Sequence, residues 1–83
     1  MYQVIVTKSA DKDIAKLHPT VRQAVESALP GLKNWQGNII KLTDTRNEYR
    51  LRIGRYRVLF ELKNGTIYVY GVDDRKEAYK HRR

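Results

Sequence analysis

The sequence has no cysteine, which excludes a disulfide framework and any thiolate metal site and makes a reducing cytoplasm the expected compartment. Histidine is scarce as well. His18 and His81 stand too far apart to form a recognisable ligand set, so neither a metal nor another cofactor is expected. No long apolar run occurs: the opening MYQVIVTK lacks a charged start and is too short for a signal peptide or a membrane span. A glycine-rich phosphate loop, a Ser/His/Asp set and a paired-carboxylate motif are all missing. Acidic residues are few, 9 Asp plus Glu against 17 Lys plus Arg, and the resulting net charge of +8 favours a polyanionic partner such as nucleic acid, or an acidic protein. At 83 residues the chain can build one hydrophobic core, so residues 1–83 are read as a single domain.

What is present reads as an α+β fold. Tyr2 to Thr7 is short and β-branched, a first strand. Ser9 is expected as the N-cap of a helix with Asp11 and Asp13 in its first turn and Ala10, Ile14 and Leu17 on one stripe. His18-Pro19 breaks that helix, and a second opens at Pro19 or Thr20, with Val21, Val25, Ala28, Leu29 and Leu32 recurring at helical spacing until Pro30-Gly31 ends or kinks it. The two form an αα-hairpin laid on a sheet. Lys33 to Thr45 reads as an irregular or partly extended crossover.

The second half carries the chemistry. Gly54-Arg55 fits a type II′ hairpin turn and Asn64-Gly65 a type I′ turn, which predicts an antiparallel meander over residues 48–53, 56–62 and 67–72. The first loop pairs Arg52 with Arg57, Arg50 with Leu59 and Tyr49 with Phe60. The second pairs Phe60 with Val69, Leu59 with Tyr70 and Arg57 with Val72. Tyr49, Leu51, Ile53, Tyr56, Val58, Phe60, Leu62, Ile67 and Val69 then share the core face. The other face holds Arg50, Arg52, Arg57, Glu61, Tyr68 and Tyr70, with Asp73, Asp74 and Arg75 carried out beside the Arg52 and Arg57 pair.

Charged side chains on the solvent face of a sheet are ordinary, and they discourage edge-to-edge association. Lys or Glu would serve that purpose equally, yet positions 50, 52, 55, 57 and 75 are all arginine. Like charges directly across strands cost stability unless an anion lies between them, and the guanidinium fork suits phosphate. Arg50, Arg52, Arg57 and Arg75 are thus a candidate phosphate site, with Arg55 beside it. Tyr68 and Tyr70 could stack on bases or simply pack beside Leu59. Tyr79 could return to the cluster, and Lys80-His81-Arg82-Arg83 is a basic end.

The segments YRLRIGRYRVLFEL (49 to 62) and GVDDRKEAYK (71 to 80), behind a strand and an αα-hairpin, resemble the RelE/ParE superfamily of toxins from type II toxin–antitoxin modules, with the RelE-like branch favoured. The resemblance implies an N-terminal strand and αα-hairpin packed on an antiparallel sheet. It also implies a cognate antitoxin that wraps the toxin in a hetero-oligomer, and an endoribonuclease that cuts mRNA in the ribosomal A site. In that scheme the RNA 2′-hydroxyl attacks the adjacent phosphate. Arg57 and Arg75 would hold the scissile phosphate, and Arg50 and Arg52 would replace lysines of the best-known members. Tyr79 would act as a base or stack on a nucleotide, with His81 a second group for proton transfer. Arginine stays protonated at any working pH, so it stabilises an oxyanion but is a poor base. Arg55, Tyr68, Tyr70, Lys80 and His81 are expected to help bind RNA. The resemblance leaves two alternatives open: a ParE-like toxin that inhibits DNA gyrase without chemistry, and an inactive relative whose arginines only grip an acidic antitoxin helix.

Overall fold

In the computed structural model, which describes residues 1–74, β1 (Gln3–Val6) leads into helices α1 (Lys8–Ala15) and α2 (Pro19–Ala28). A short 3-10 helix at Leu29–Asn34 follows, then β2 (Asn38–Lys41), β3 (Glu48–Ile53), β4 (Tyr56–Lys63) and β5 (Thr66–Asp74). The five strands form one sheet in the order β1-β5-β4-β3-β2. The α+β class and the strand, helix pair and meander stand as expected.

Both turns form as their residues dictate. Gly54 has φ +60, while Asn64 and Gly65 have φ +51 and +78, the left-handed pair that a type I′ turn requires. The β3–β4 register follows directly: Ile53 pairs with Tyr56, Arg52 with Arg57, Leu51 with Val58 and Arg50 with Leu59. One face buries Leu51, Val58, Phe60, Ile67, Val69 and Val72 against Ala10, Ile14, Val25 and Leu32. Trp35 packs edge-on to Tyr49 and Phe60 at 5.0 and 5.7 Å between ring centroids.

The structure corrects four local expectations. The N-cap of α1 is Thr7, not Ser9: its hydroxyl accepts the Ala10 N–H at 3.2 Å, so the helix begins earlier. The stretch from Lys33 is more regular than expected, because Ile39 and Ile40 with their neighbours pair against β3 as an edge strand. β1 joins the sheet parallel to β5, with Val4 opposite Ile67 and Val6 opposite Val69, so the sheet is mixed and not purely antiparallel. Parallel pairing delivers the chain to Thr7 beside the later half of β5, where α1 starts across the core face. Fourth, a bulge lies between Leu59 and Phe60 on the β4–β5 ladder: Leu59 pairs with Gly71, not Tyr70, and Arg57 pairs with Asp73, not Val72. The extra residue returns Val72 to the core side, opposite Val58, where it is buried.

Candidate phosphate-binding face

Residues directly opposite on neighbouring strands share a face. The registers therefore build a row across β2, β3, β4 and β5 on the side away from the core: Asn38, Arg52, Arg57 and Asp73. In a two-residue hairpin the residues flanking the loop form the hydrogen-bonded pair. Arg52 and Arg57, one step further, form the closer pair, with Cα atoms about 4.5 Å apart. Arg52 is exposed and Arg57 half-buried. Two guanidinium groups thus leave adjacent strands side by side at the hairpin end of the sheet.

Arg50 belongs to the next row, between Ile40 on β2 and Leu59 on β4. Neither neighbour offers an acceptor, and Arg50 Nε is buried without a hydrogen-bond partner among the described residues. A buried donor left unmatched costs about 1–3 kcal/mol, which favours an acceptor supplied to this guanidinium.

Carboxylates of the same chain answer part of the positive charge. Arg55, at the turn, donates to Asp74 Oδ2 from Nε at 3.1 Å and from Nη2 at 2.5 Å, and its guanidinium lies 5.7 Å from the centre of the Tyr56 ring. The hydrogen bond and the charge of Asp74 both raise the Arg55 pKa above its ordinary value. A phosphate at Arg55 would have to share it with Asp74. Asp73 stands in register with Arg57, and neither is without a partner.

The aromatic candidates lie farther along β5. Tyr68 is in register with Glu61, at the opposite end of the face from the Arg52–Arg57 pair. Tyr70 sits at the bulge, and its hydroxyl donates to Glu48 Oε1 at 2.7 Å. Of the residues singled out in the sequence, Arg50, Arg52 and Arg57 occupy one end of one face, with Arg55 at its rim and Tyr68 and Tyr70 beyond. Arg75, Tyr79, Lys80 and His81 lie outside the described residues. His18 is the N-cap of α2, its Nδ1 accepting the Thr20 N–H at 3.3 Å.

Sequence reasoning missed Asn38, which had no strand assigned to it, and the direct opposition of Asp73 to Arg57. Gly71 inside a strand pattern was the available signal, since an interior glycine often marks a bulge. Among the described residues no group of His, Asp or Glu side chains could hold a metal ion, and no helix is long and apolar enough to cross a membrane.

Known proteins share this fold. A family model described as the ParE toxin of type II toxin–antitoxin systems, parDE, matches residues 4–79. Among solved structures, the RelB–RelE antitoxin–toxin complex from Methanococcus jannaschii is similar at 25% identity and a TM-score of 0.81, over 95% of this chain and 99% of that one. The RelBE2 toxin–antitoxin complex from Mycobacterium tuberculosis is similar at 26% identity and a TM-score of 0.73, over 89% of this chain and 98% of that one. The isolated RelE toxin of E. coli shares the fold at 22% identity and a TM-score of 0.74, over 96% of this chain and 93% of that one. A search of curated proteins finds no match.

Proposed function

This chain belongs to the ParE toxin family of type II toxin–antitoxin systems, and from that premise we propose that it is a RelE-like toxin: a ribosome-dependent endoribonuclease that arrests translation by cutting mRNA in the A site. The observation that supports this reading is the side-by-side placement of Arg52 and Arg57, with Arg50, whose buried Nε has no hydrogen-bond partner among the described residues, one row away. In the proposed reaction the RNA 2′-oxygen bonds to the adjacent phosphorus and loses its proton. The bond from phosphorus to the 5′-oxygen then breaks, and that oxygen leaves as a hydroxyl after taking up a proton. Charge builds on the phosphoryl oxygens as the new bond forms. Fixed guanidinium donors aimed at those oxygens lower the barrier, each at a cost of about a hundredfold or more in rate when removed. Arg57 and Arg52 fill that role, Arg50 and Arg75 extend it, and Arg55, Tyr68, Tyr70 and Lys80 guide the flanking RNA. No arginine can take the proton, so Tyr79 and His81 are the proposed proton carriers.

A cognate antitoxin is the proposed protein partner, in a hetero-oligomer like the RelB–RelE complexes that share this fold, and the cytoplasm, where ribosomes are reached, is the proposed compartment. Primer extension on mRNA, with and without ribosomes, tests the reading: cuts that require ribosomes support it, and intact message in both lanes overturns it. Two observations favour a second reading, gyrase inhibition without chemistry: the family model is that of ParE, and Asp73 and Asp74 oppose the arginine end of the face. Trapped gyrase on DNA with uncut mRNA would establish that alternative.

A further inference from the structure

The Arg52–Arg57 pair carries a carboxylate in its own row, and the bulge puts it there. An unbroken β4–β5 ladder would set Val72 opposite Arg57 and turn Asp73 toward the core. The additional residue at Tyr70 shifts the last part of β5 by one position, burying Val72 and bringing Asp73 into register with Arg57. No other described carboxylate shares that row. Asp74 is held by Arg55 at the turn. Glu48 accepts from Tyr70 and pairs in register with Glu61, so both glutamates lie four positions along their strands from the arginine pair, on the order of 13 Å away.

We propose that Asp73 is an intramolecular competitor for the anion at the Arg52–Arg57 pair, setting how tightly this face holds a phosphate group. The proposal rests on reading that face as a phosphate site and adds the control of its affinity. A carboxylate and a phosphate oxygen use the same guanidinium donors in the same fork geometry, so the two compete for Arg57. Without bound anion, Asp73 offsets the like-charge repulsion of two neighbouring guanidinium groups and keeps the row compatible with a folded sheet. When a phosphate arrives, Asp73 stands in the same row as a negative charge that repels it and competes for the Arg57 donors. Both effects weaken phosphate binding, so a short anion is released readily and only a ligand with further contacts is retained.

The test is titration of the purified chain with inorganic phosphate at low ionic strength, following the arginine side-chain N–H resonances by NMR, for the wild type, Asp73→Asn and Glu26→Gln, the latter an exposed carboxylate on α2 away from the arginine face. Both substitutions raise the net charge by the same amount, but only the first lies in the row of the pair. The expected result is binding about fivefold tighter for Asp73→Asn and little changed for Glu26→Gln. Equal tightening in both variants would reduce the effect to overall charge and overturn the proposal. So would weaker binding in Asp73→Asn, which would make Asp73 a residue that positions Arg57, and so would the absence of saturable phosphate binding in all three proteins. Asp73→Ser gives the same reading if the asparagine variant fails to fold. Saturable phosphate binding with the expected order, in a chain that leaves mRNA intact on ribosomes, would retain the proposal while overturning the nuclease.

Discussion

Asp13 of α1 accepts the backbone N–H of Val72 on β5 at 3.0 Å, although the two lie 59 positions apart in the chain. β1 pairs with β5 only as far as Val69, so the edge of β5 beyond that point needs another partner. The carboxylate of α1 supplies it and fixes the helix against the strand that leads to Asp73.

Asp13→Ala should lower stability by about 1–3 kcal/mol, because it leaves a part-buried N–H without its acceptor. Urea denaturation monitored by circular dichroism measures the loss. A midpoint equal to that of the wild type would mean that water replaces the carboxylate at no cost.

Arg57→Ala should abolish growth arrest and cut ribosome-dependent cleavage by at least about a hundredfold, with antitoxin affinity largely intact. Plate assays, primer extension and a pull-down separate the three effects. Arrest that survives the substitution would remove Arg57 from the chemistry.

Gly37→Ala should be among the most damaging single changes. Gly37 has φ +112, and a Cβ there would meet Leu51 Cδ1 at 2.6 Å. Backbone strain at such an angle, together with displacement of a core leucine, should cost about 2–4 kcal/mol. Thermal melting of the purified variant gives the value, and an unchanged melting temperature would contradict the close approach.

The Arg55–Asp74 pair should contribute little, since the Arg55 side chain is 59% exposed. The partner raises the Arg55 pKa, so whatever stability the pair gives through that group is fully present below the ordinary arginine range. It is lost only as pH climbs through the raised value. Between about pH 6 and 10, therefore, Arg55→Ala should leave the denaturation midpoint unchanged and add no pH dependence. A midpoint difference between variant and wild type that varies with pH in that window would contradict this.

The two hairpin turns made most of the arginine face legible. Gly54 and the Asn64-Gly65 pair permit only a narrow choice of loop geometry, and loop geometry sets which side chains stand opposite each other. Arg52 beside Arg57 followed from that logic alone. The same logic failed past Phe60, where it assumed an unbroken ladder and the bulge at Tyr70 interrupts it. Val72 carried the contradiction, an apolar residue assigned to a polar face, and its burial resolves it. Orientation of β1 was out of reach for a different reason. Nothing in Gln3–Val6 favours parallel over antiparallel pairing, and its partner was settled by where α1 must begin.

The parallel union of β1 with β5 also bears on how the molecule is born. Gln3 finds its partner Thr66 more than sixty positions later, so β1 cannot pair until the chain through β5 has emerged from the ribosome. Joining such distant ends costs chain entropy before any contact rewards it, and a topology of this kind assembles slowly for its size. Pairing within β2 to β5 is local by comparison, so β1 is the strand whose docking lags furthest behind its synthesis.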